Sequence, residues 1–462
     1  MTLELVNDIV QVCPPEKIGA LPIAYRTTPK EPGFMDLTDS ICPANNPVYP
    51  RGMEPFCVSP AEIESFTKSC TSLGMKYLGI CCGNSGELTR TMAETMGRRP
   101  PASRSTRKDL NINWSMASRR LLKSRGLQER LNAGESILCA EGYLLALSRR
   151  GYITHGVWVP EFILEDPAIL KSVHYEMAHA GSDVIEAFQY NTHREKMKQI
   201  GREDDIEKIN RTALKIAREV AEEKNLLFAG GISNTNQYVK GETEEKVRAM
   251  FEEQVRWSKE EGVDYMIGET FSFLGEAQIA LEVIQSFDLP AVVTLTVYTA
   301  RGEDGVVRTR DGVPIGEACK DLIDRGVTIT GVNCTRGPEM TLELVNDIVQ
   351  VCPPEKIGAL PIAYRTTPKE PSFMDLTDSI CPANNPVYPR GMEPFCISPV
   401  EIESFTKSCT SLGMKYLGIC CGNSGELTRT MAETMGRKPP ASRYLDHTQF
   451  GFLMKLKMSG EL

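Results

Sequence analysis

Residues 328–363 read TITGVNCTRGPEMTLELVNDIVQVCPPEKIGALPIA. A β-rich run at 328–333 gives way to apolar residues at helical spacing over 341–351, and a second β-rich run follows at 357–363. Two such runs joined by one helix make a parallel crossover unit, because a parallel partner needs a connection long enough to return the chain to the starting edge. The alternation continues on both sides. Strands are expected at 136–140, 183–188, 226–232, 265–269, 291–297, 328–333, 357–363 and 416–420. Helices are expected at 167–180, 205–224, 243–261, 275–286, 315–325, 341–351 and 399–412. Eight strands alternating with helices predict an α/β fold, the closed (β/α)8 TIM barrel. An open doubly wound sheet would call for a Gly-rich phosphate loop after its first strand, and Cys139-Ala-Glu-Gly-Tyr is not one.

Residues 1–104 recur as 340–443, differing only at Gly33/Ser372, Val58/Ile397, Ala61/Val400 and Arg99/Lys438. The chain therefore divides into a partial duplicate of barrel units seven and eight (1–104), a linker (105–130), the barrel (131–443) and a tail (444–462). Met116-Ala-Ser within the linker reads like an original start, as if a truncated upstream gene copy had been joined to a complete one, either in the genome or by a gene model that merges the two. A quarter of a barrel cannot bury its apolar faces alone, but it could compete for the place of units seven and eight. About five residues tether the second copy to the preceding strand, against about 30 between the head and strand one. Loop-closure entropy favours the second copy by about 1.6 kcal/mol, about tenfold. The head is expected to be peripheral, swapped or poorly ordered.

A net charge of −9 argues against nucleic acid or an anionic membrane surface as main partner. Hydrophobic content of 41% and charged content of 24% suit a globular chain, and no apolar run reaches membrane-spanning length. A cytoplasmic location is expected. The 15 cysteines, six of them in the duplicated head, are then mostly reduced thiols.

Catalysis in such barrels sits at the C-terminal ends of the strands. Cys334 ends strand six, and Cys420 and Cys421 end strand eight, so three thiols converge on one rim. That set suits a soft cation such as Zn²⁺ with one open position, although a Cys-Cys pair on a buried strand is often packing alone. Asn333 either orients substrate or ends a strand, and Arg365 is placed to pair with a carboxylate. His155, His174, His179 and His193 do not share a metal-binding face and read as core or surface residues, with His193 near the pocket.

Gly-Val-Asn-Cys334 with Gly-Ile-Cys420-Cys421-Gly resembles the zinc motif of homocysteine S-methyltransferases. Arg150-Gly-Tyr, Gly156-Val-Trp158-Val-Pro-Glu161, Ala229-Gly-Gly-Ile-Ser-Asn-Thr235, Phe271 and Pro439-Pro-Ala-Ser-Arg443 are similar to its betaine-dependent branch. The resemblance runs from about Leu131 to Arg443. It implies a TIM barrel with Zn²⁺ on Cys334, Cys420 and Cys421, and methyl transfer from betaine or a related onium donor to homocysteine, giving methionine. It also implies that Glu141, Gly142 and Glu269 hold the homocysteine amino and carboxylate groups, and that Trp158, with help from Tyr190, faces the donor's cation. Three departures stand out. Glu141 is one methylene longer than the family's Asp, Thr270 stands where the betaine branch has Tyr, and Asn191 stands where its second-strand pattern has Tyr. Alternatives are an impaired zinc-binding fusion product, or a methyltransferase using S-methylmethionine or a selenol acceptor. The expected partners are small molecules, with a homo-oligomer left open.

Overall fold

The computed structural model describes residues 2–27, 34, 37, 53, 56–83, 85–98, 126–149, 151–153, 159–377, 387–388 and 391–444. Eight parallel strands close into a barrel: β1 (Ile137–Ala140), β2 (Val184–Glu186), β3 (Leu227–Ser233), β4 (Tyr265–Phe271), β5 (Ala291–Leu295), β6 (Ile329–Asn333), β7 (Ile357–Leu360) and β8 (Tyr416–Ile419). β8 closes the ring by pairing with β1 in the register Tyr416↔Ile137 through Ile419↔Ala140. Outer helices follow the strands: α1 (Pro167–Ala180), α2 (Ile206–Lys224), α3 (Glu244–Glu261), α4 (Leu274–Ser286), α5 (Ile315–Asp324), α6 (Pro338–Ile348), α7 (Pro399–Ser411) and α8 (Gly425–Thr434).

Alternation along each strand builds two apolar layers. Ile137, Cys139, Val184, Leu227, Ala229, Tyr265, Ile267, Val292, Ile329, Leu360 and Tyr416 pack inside the barrel, where the hydroxyls of Tyr265 and Tyr416 lie 3.1 Å apart. Their neighbours Leu138, Ala140, Ile185, Phe228, Met266 and Val293 face outward and join the helices. Leu127, on the short helix Leu127–Asn132, belongs to the interior cluster. Two strand-to-strand approaches require glycine. A Cβ at Gly418 would lie 2.0 Å from the Cys139 carbonyl oxygen, and one at Gly331 would lie 2.0 Å from that of Gly358.

Two differences from the sequence expectation are local. α6 begins at Pro338 rather than 341, since Gly337 is the N-cap, its N–H bonds Thr366 Oγ1 at 2.9 Å, and proline suits the first helical turn. α8, not expected, is started by Ser424, whose side chain accepts from Leu427 N–H.

The head repeats the local structure of its twin. Gly19–Ala20 and Tyr77–Leu78 form a two-stranded parallel sheet, and Thr2–Ile9, Pro60–Ser72 and Gly86–Thr95 are helices. Its buried apolar residues cluster among themselves, as with Val6, Ala20, Cys70 and Met75. No described helix is long and apolar enough to cross a membrane.

Candidate active site

The C-terminal ends of the strands meet over a cleft of about 440 Å³, its open mouth included. Its lining includes Gly142, Tyr143, Glu186, Tyr190, Glu269 and Thr270 with Cys334, Cys420 and Cys421. The structure thus brings together every expected site residue except Trp158, which, like His155, lies outside the described residues.

The thiol cluster depends on backbone shape. Cys334 and Thr335, directly after β6, both take left-handed φ values, 61° and 65°, which side chains rarely adopt. The Cys334 N–H remains tied to the Leu360 carbonyl at 3.0 Å, so the turn begins while the chain is still anchored to β7. After β8, Cys420 N–H bonds the Pro361 carbonyl at 2.8 Å, and Cys421 C=O accepts from Ala363 N–H at 2.9 Å. Gly142, at φ 82°, permits the closest approach: a Cβ there would stand 2.1 Å from the Cys420 carbonyl oxygen. The first-strand motif and the vicinal cysteines are therefore one built unit.

The sulfurs of Cys334, Cys420 and Cys421 all lie within 4.8 Å of one another, and those of Cys334 and Cys421 are 3.8 Å apart. Two thiolates each ~2.3 Å from one tetrahedral ion would also stand about 3.8 Å apart. The donor set and spacing fit a soft four-coordinate cation with one position to spare. The thiols of Cys420 and Cys421 hold Cys334 well below the ordinary thiol pKa, and the same interaction raises their own. The cluster gives up its first proton readily and resists losing the next two, as closely spaced like charges must.

Carboxylates surround the sulfurs. Glu141 and Glu269 each bring an oxygen within 4.8 Å of the other and of Cys420 Sγ. Burial and then the neighbouring Cys334 push Glu269 up to about 8, against hydrogen bonds from Thr270 and Asn333. Burial and the charge of Glu269 raise Glu141 and Glu186 as well. One Glu141 oxygen is buried without a hydrogen-bond partner. A cation entering this mouth would meet acceptors waiting for a donor.

Asn333 links the parts. Its Nδ2 donates to Thr270 Oγ1 at 2.9 Å and Glu269 Oε2 at 3.3 Å, and reaches Cys420 Sγ at 3.9 Å. Its Oδ1 accepts from Thr270 N–H at 3.0 Å and Thr294 Oγ1 at 2.9 Å. This fixes the left-handed turn at Thr270, φ 65°, which aims Glu269. Asn333 ends β6, and its side chain does more than end it, holding the Glu269–Thr270 segment in place. Arg365 is not aimed at the cleft: its guanidinium forks onto Glu401 at 2.6 and 2.7 Å. His174 and His193 are buried, and neither lines the cleft.

Sequence reasoning missed Glu186, Tyr298 and Tyr388. Glu186 had a usable signal, a charged residue ending a fully buried strand. Tyr298 and Tyr388 lie on loops with no periodic cue. Both are half-buried, and both feel the charge of Cys334 and Cys421, which adds to burial in raising their hydroxyls.

Comparison with known proteins agrees with this geometry. Residues 142–435 match the family model described as homocysteine S-methyltransferase. The chain is 32% identical over 331 residues to betaine–homocysteine S-methyltransferase 1 of Mus musculus, covering 69% of this chain and 77% of that protein. It is equally 32% identical over 328 residues to S-methylmethionine–homocysteine S-methyltransferase BHMT2 of Pongo abelii, covering 69% and 84%. The metallated form of the homocysteine methyltransferase MmuM from Escherichia coli shares the fold, with a TM-score of 0.50 at 16% identity over 66% of this chain and 98% of that one. A closed barrel, a rim of three thiols and a family match across most of that barrel converge, and the chain belongs to the homocysteine S-methyltransferase family.

Proposed function

We propose that the barrel transfers a methyl group from betaine, or a related onium donor, to homocysteine, with zinc held by Cys334, Cys420 and Cys421. The observation that carries this reading is the convergence of those three sulfurs beside two buried carboxylates at the strand ends. When bound there, zinc supplies a Lewis acid that favours the ionised form of the acceptor thiol at neutral pH.

The chain's own residues do the rest. Glu269, aimed by Asn333, and Glu141 receive the acceptor's ammonium, whose charge satisfies carboxylates that burial otherwise disfavours. Gly142 keeps the strand-one backbone against the cysteine pair. Glu186 and the rings around the mouth suit a donor carrying a fixed positive charge. The acceptor sulfur attacks the methyl carbon in line. The S–C bond forms, the bond from carbon to the onium atom breaks, and its electron pair stays on the departing neutral group. Much of the rate enhancement comes from holding the two substrates in line.

A sulfonium donor is a second reading, favoured by Thr270 at a position where the betaine branch has tyrosine. Methyl transfer from betaine, S-methylmethionine and dimethylsulfonioacetate to homocysteine, alongside zinc analysis of the full chain, tests both. Methionine formed with none of these donors, by protein that carries zinc, would reject the proposed transfer.

A further inference from the structure

The head and its twin share more than sequence. Gly19 pairs with Tyr77 and Ala20 with Leu78, the register of Gly358 with Tyr416 and Ala359 with Leu417. Cys81 N–H bonds the Pro22 carbonyl at 2.8 Å and Cys82 C=O accepts from Ala24 N–H at 2.8 Å, matching the bonds at Cys420 and Cys421. Arg26 forks onto Glu62 as Arg365 does onto Glu401. The head thus holds the shape of barrel units seven and eight without the barrel.

What differs is what covers it. Leu5, Ile9, Leu21 and Tyr77 are 61%, 43%, 48% and 66% exposed, whereas their twins Leu344, Ile348, Leu360 and Tyr416 are 2%, 0%, 0% and 0% exposed. Leu360 and Tyr416 fill the barrel interior, and Leu344 and Ile348 pack in the layer between strands and helices. The head's open face therefore fits the surface that its twin covers, the six-stranded remainder at 126–339. Arg98 is also exposed, and its twin Arg437 clamps Asp183 beside β1.

We propose that residues 2–98 are a spare last quarter of the barrel, able to seat between β6 and β1 of the same chain in place of residues 341–437. Seated there, the head would bring Cys81 and Cys82 to Cys334, a second version of the thiol site. The path is open: β8 and β1 are neighbours, so the head-first order is a circular permutation that crosses no strand. Residues 99–125 can span up to about 90 Å. The displaced copy would take the condition the head has now, so the two states differ mainly in tether. Tether length disfavours the head about tenfold. Val58 for Ile397 and Ala61 for Val400 disfavour it further, being smaller.

The test is thermal unfolding of the full chain, which does not depend on the proposed chemistry. Gly418→Val blocks the second copy against the Cys139 carbonyl and leaves the head intact. Gly418→Val is expected to keep a cooperative transition at unchanged molecular weight, Gly79→Val to melt like the parent, and the double variant to lose the transition. If Gly418→Val and the double variant behave alike, folded or unfolded, the head does not seat. If the rescue appears only in a dimer, a second molecule supplies the head and seating within the chain is wrong. A zinc arm, which rests on the proposed function, reads the site. Cys420→Ser/Cys421→Ser should bind zinc about tenfold more weakly than the parent, and adding Cys81→Ser/Cys82→Ser should abolish binding. Complete loss in the first pair overturns the second site. A parent that binds no zinc would count against the proposed function, while the unfolding data still judge the seating.

Discussion

Cys334 supplies a sulfur and also holds an unfavourable backbone angle, and these two roles separate experimentally. Cys334→Ser keeps the size and the turn but replaces the soft ligand. We expect zinc content and methyl transfer to fall together, kcat/KM by at least about a hundredfold, with the circular dichroism spectrum unchanged. Retained turnover without zinc would detach the activity from the thiol cluster. Asn333→Ala acts differently, since it strips hydrogen bonds from Glu269, Thr270 and Thr294 and loses only one long contact to a sulfur, that of Cys420 at 3.9 Å, while keeping all three thiols. Its expected cost is about 1–3 kcal/mol of stability, with the KM for homocysteine rising more than kcat falls. A normal KM would show that Asn333 serves only the fold. The cysteines were legible from sequence because the chemistry demands a residue type at a strand end. The Asn333 network was not, because it joins side chains from β4, β5 and β6 that share no local pattern, and a lone asparagine ending a strand is commonplace.

At the scale of elements, the barrel must be latched where β1 meets β2. Asp183, just before β2, accepts from Leu138 N–H at 2.7 Å and Arg130 Nη2 at 2.8 Å, and pairs with Arg437. One mostly buried carboxylate so ties together the entry helix, the first two strands and the segment after α8. Removing it leaves two guanidinium groups facing each other and a strand N–H without its partner. Asp183→Ala is expected to cost about 2 kcal/mol, discounted from a fully buried pair because both arginines reach solvent. Asp183→Asn should cost less, since its amide oxygen can still accept from Leu138. Urea midpoints of the two variants check this, and equal losses would show that the acceptor bond contributes little. The strands themselves were readable because all eight are short apolar runs between amphipathic helices. Their ends were less so: the run expected at 183–188 is a strand only over Val184–Glu186. Beyond Glu186 the backbone turns to line the cleft, and substrate-facing loops follow the needs of the site rather than the pleat. The short helices Tyr143–Arg149 and Arg194–Lys198 were missed because five to seven residues are too few to display a helical period.

For the whole molecule, acid should be more damaging than the modest net charge suggests, because two of the five histidines are folded in a neutral form. Burial lowers His174 to about 3 and, with help from Lys196, lowers His193 to about 4. Unfolded histidine titrates near 6.5. Above that value neither state is protonated and the groups are silent. Below it the unfolded chain takes up a proton at each position that the folded chain refuses until pH 3 to 4, so stability is lost as pH falls through this window. Between pH 7 and 5 each group should remove about 2 kcal/mol. His174 packs edge-on to Tyr143, with neither ring nitrogen hydrogen-bonded. His174→Leu therefore costs no hydrogen bond and removes one protonation site. Its unfolding free energy should fall by about 2 kcal/mol less than the parent's over the same interval. Parallel urea titrations at the two pH values give that difference directly, with the titrating carboxylates common to both proteins cancelling. An identical pH slope in parent and variant would mean that His174 accepts its proton in the folded barrel, through an opening that the buried ring does not display.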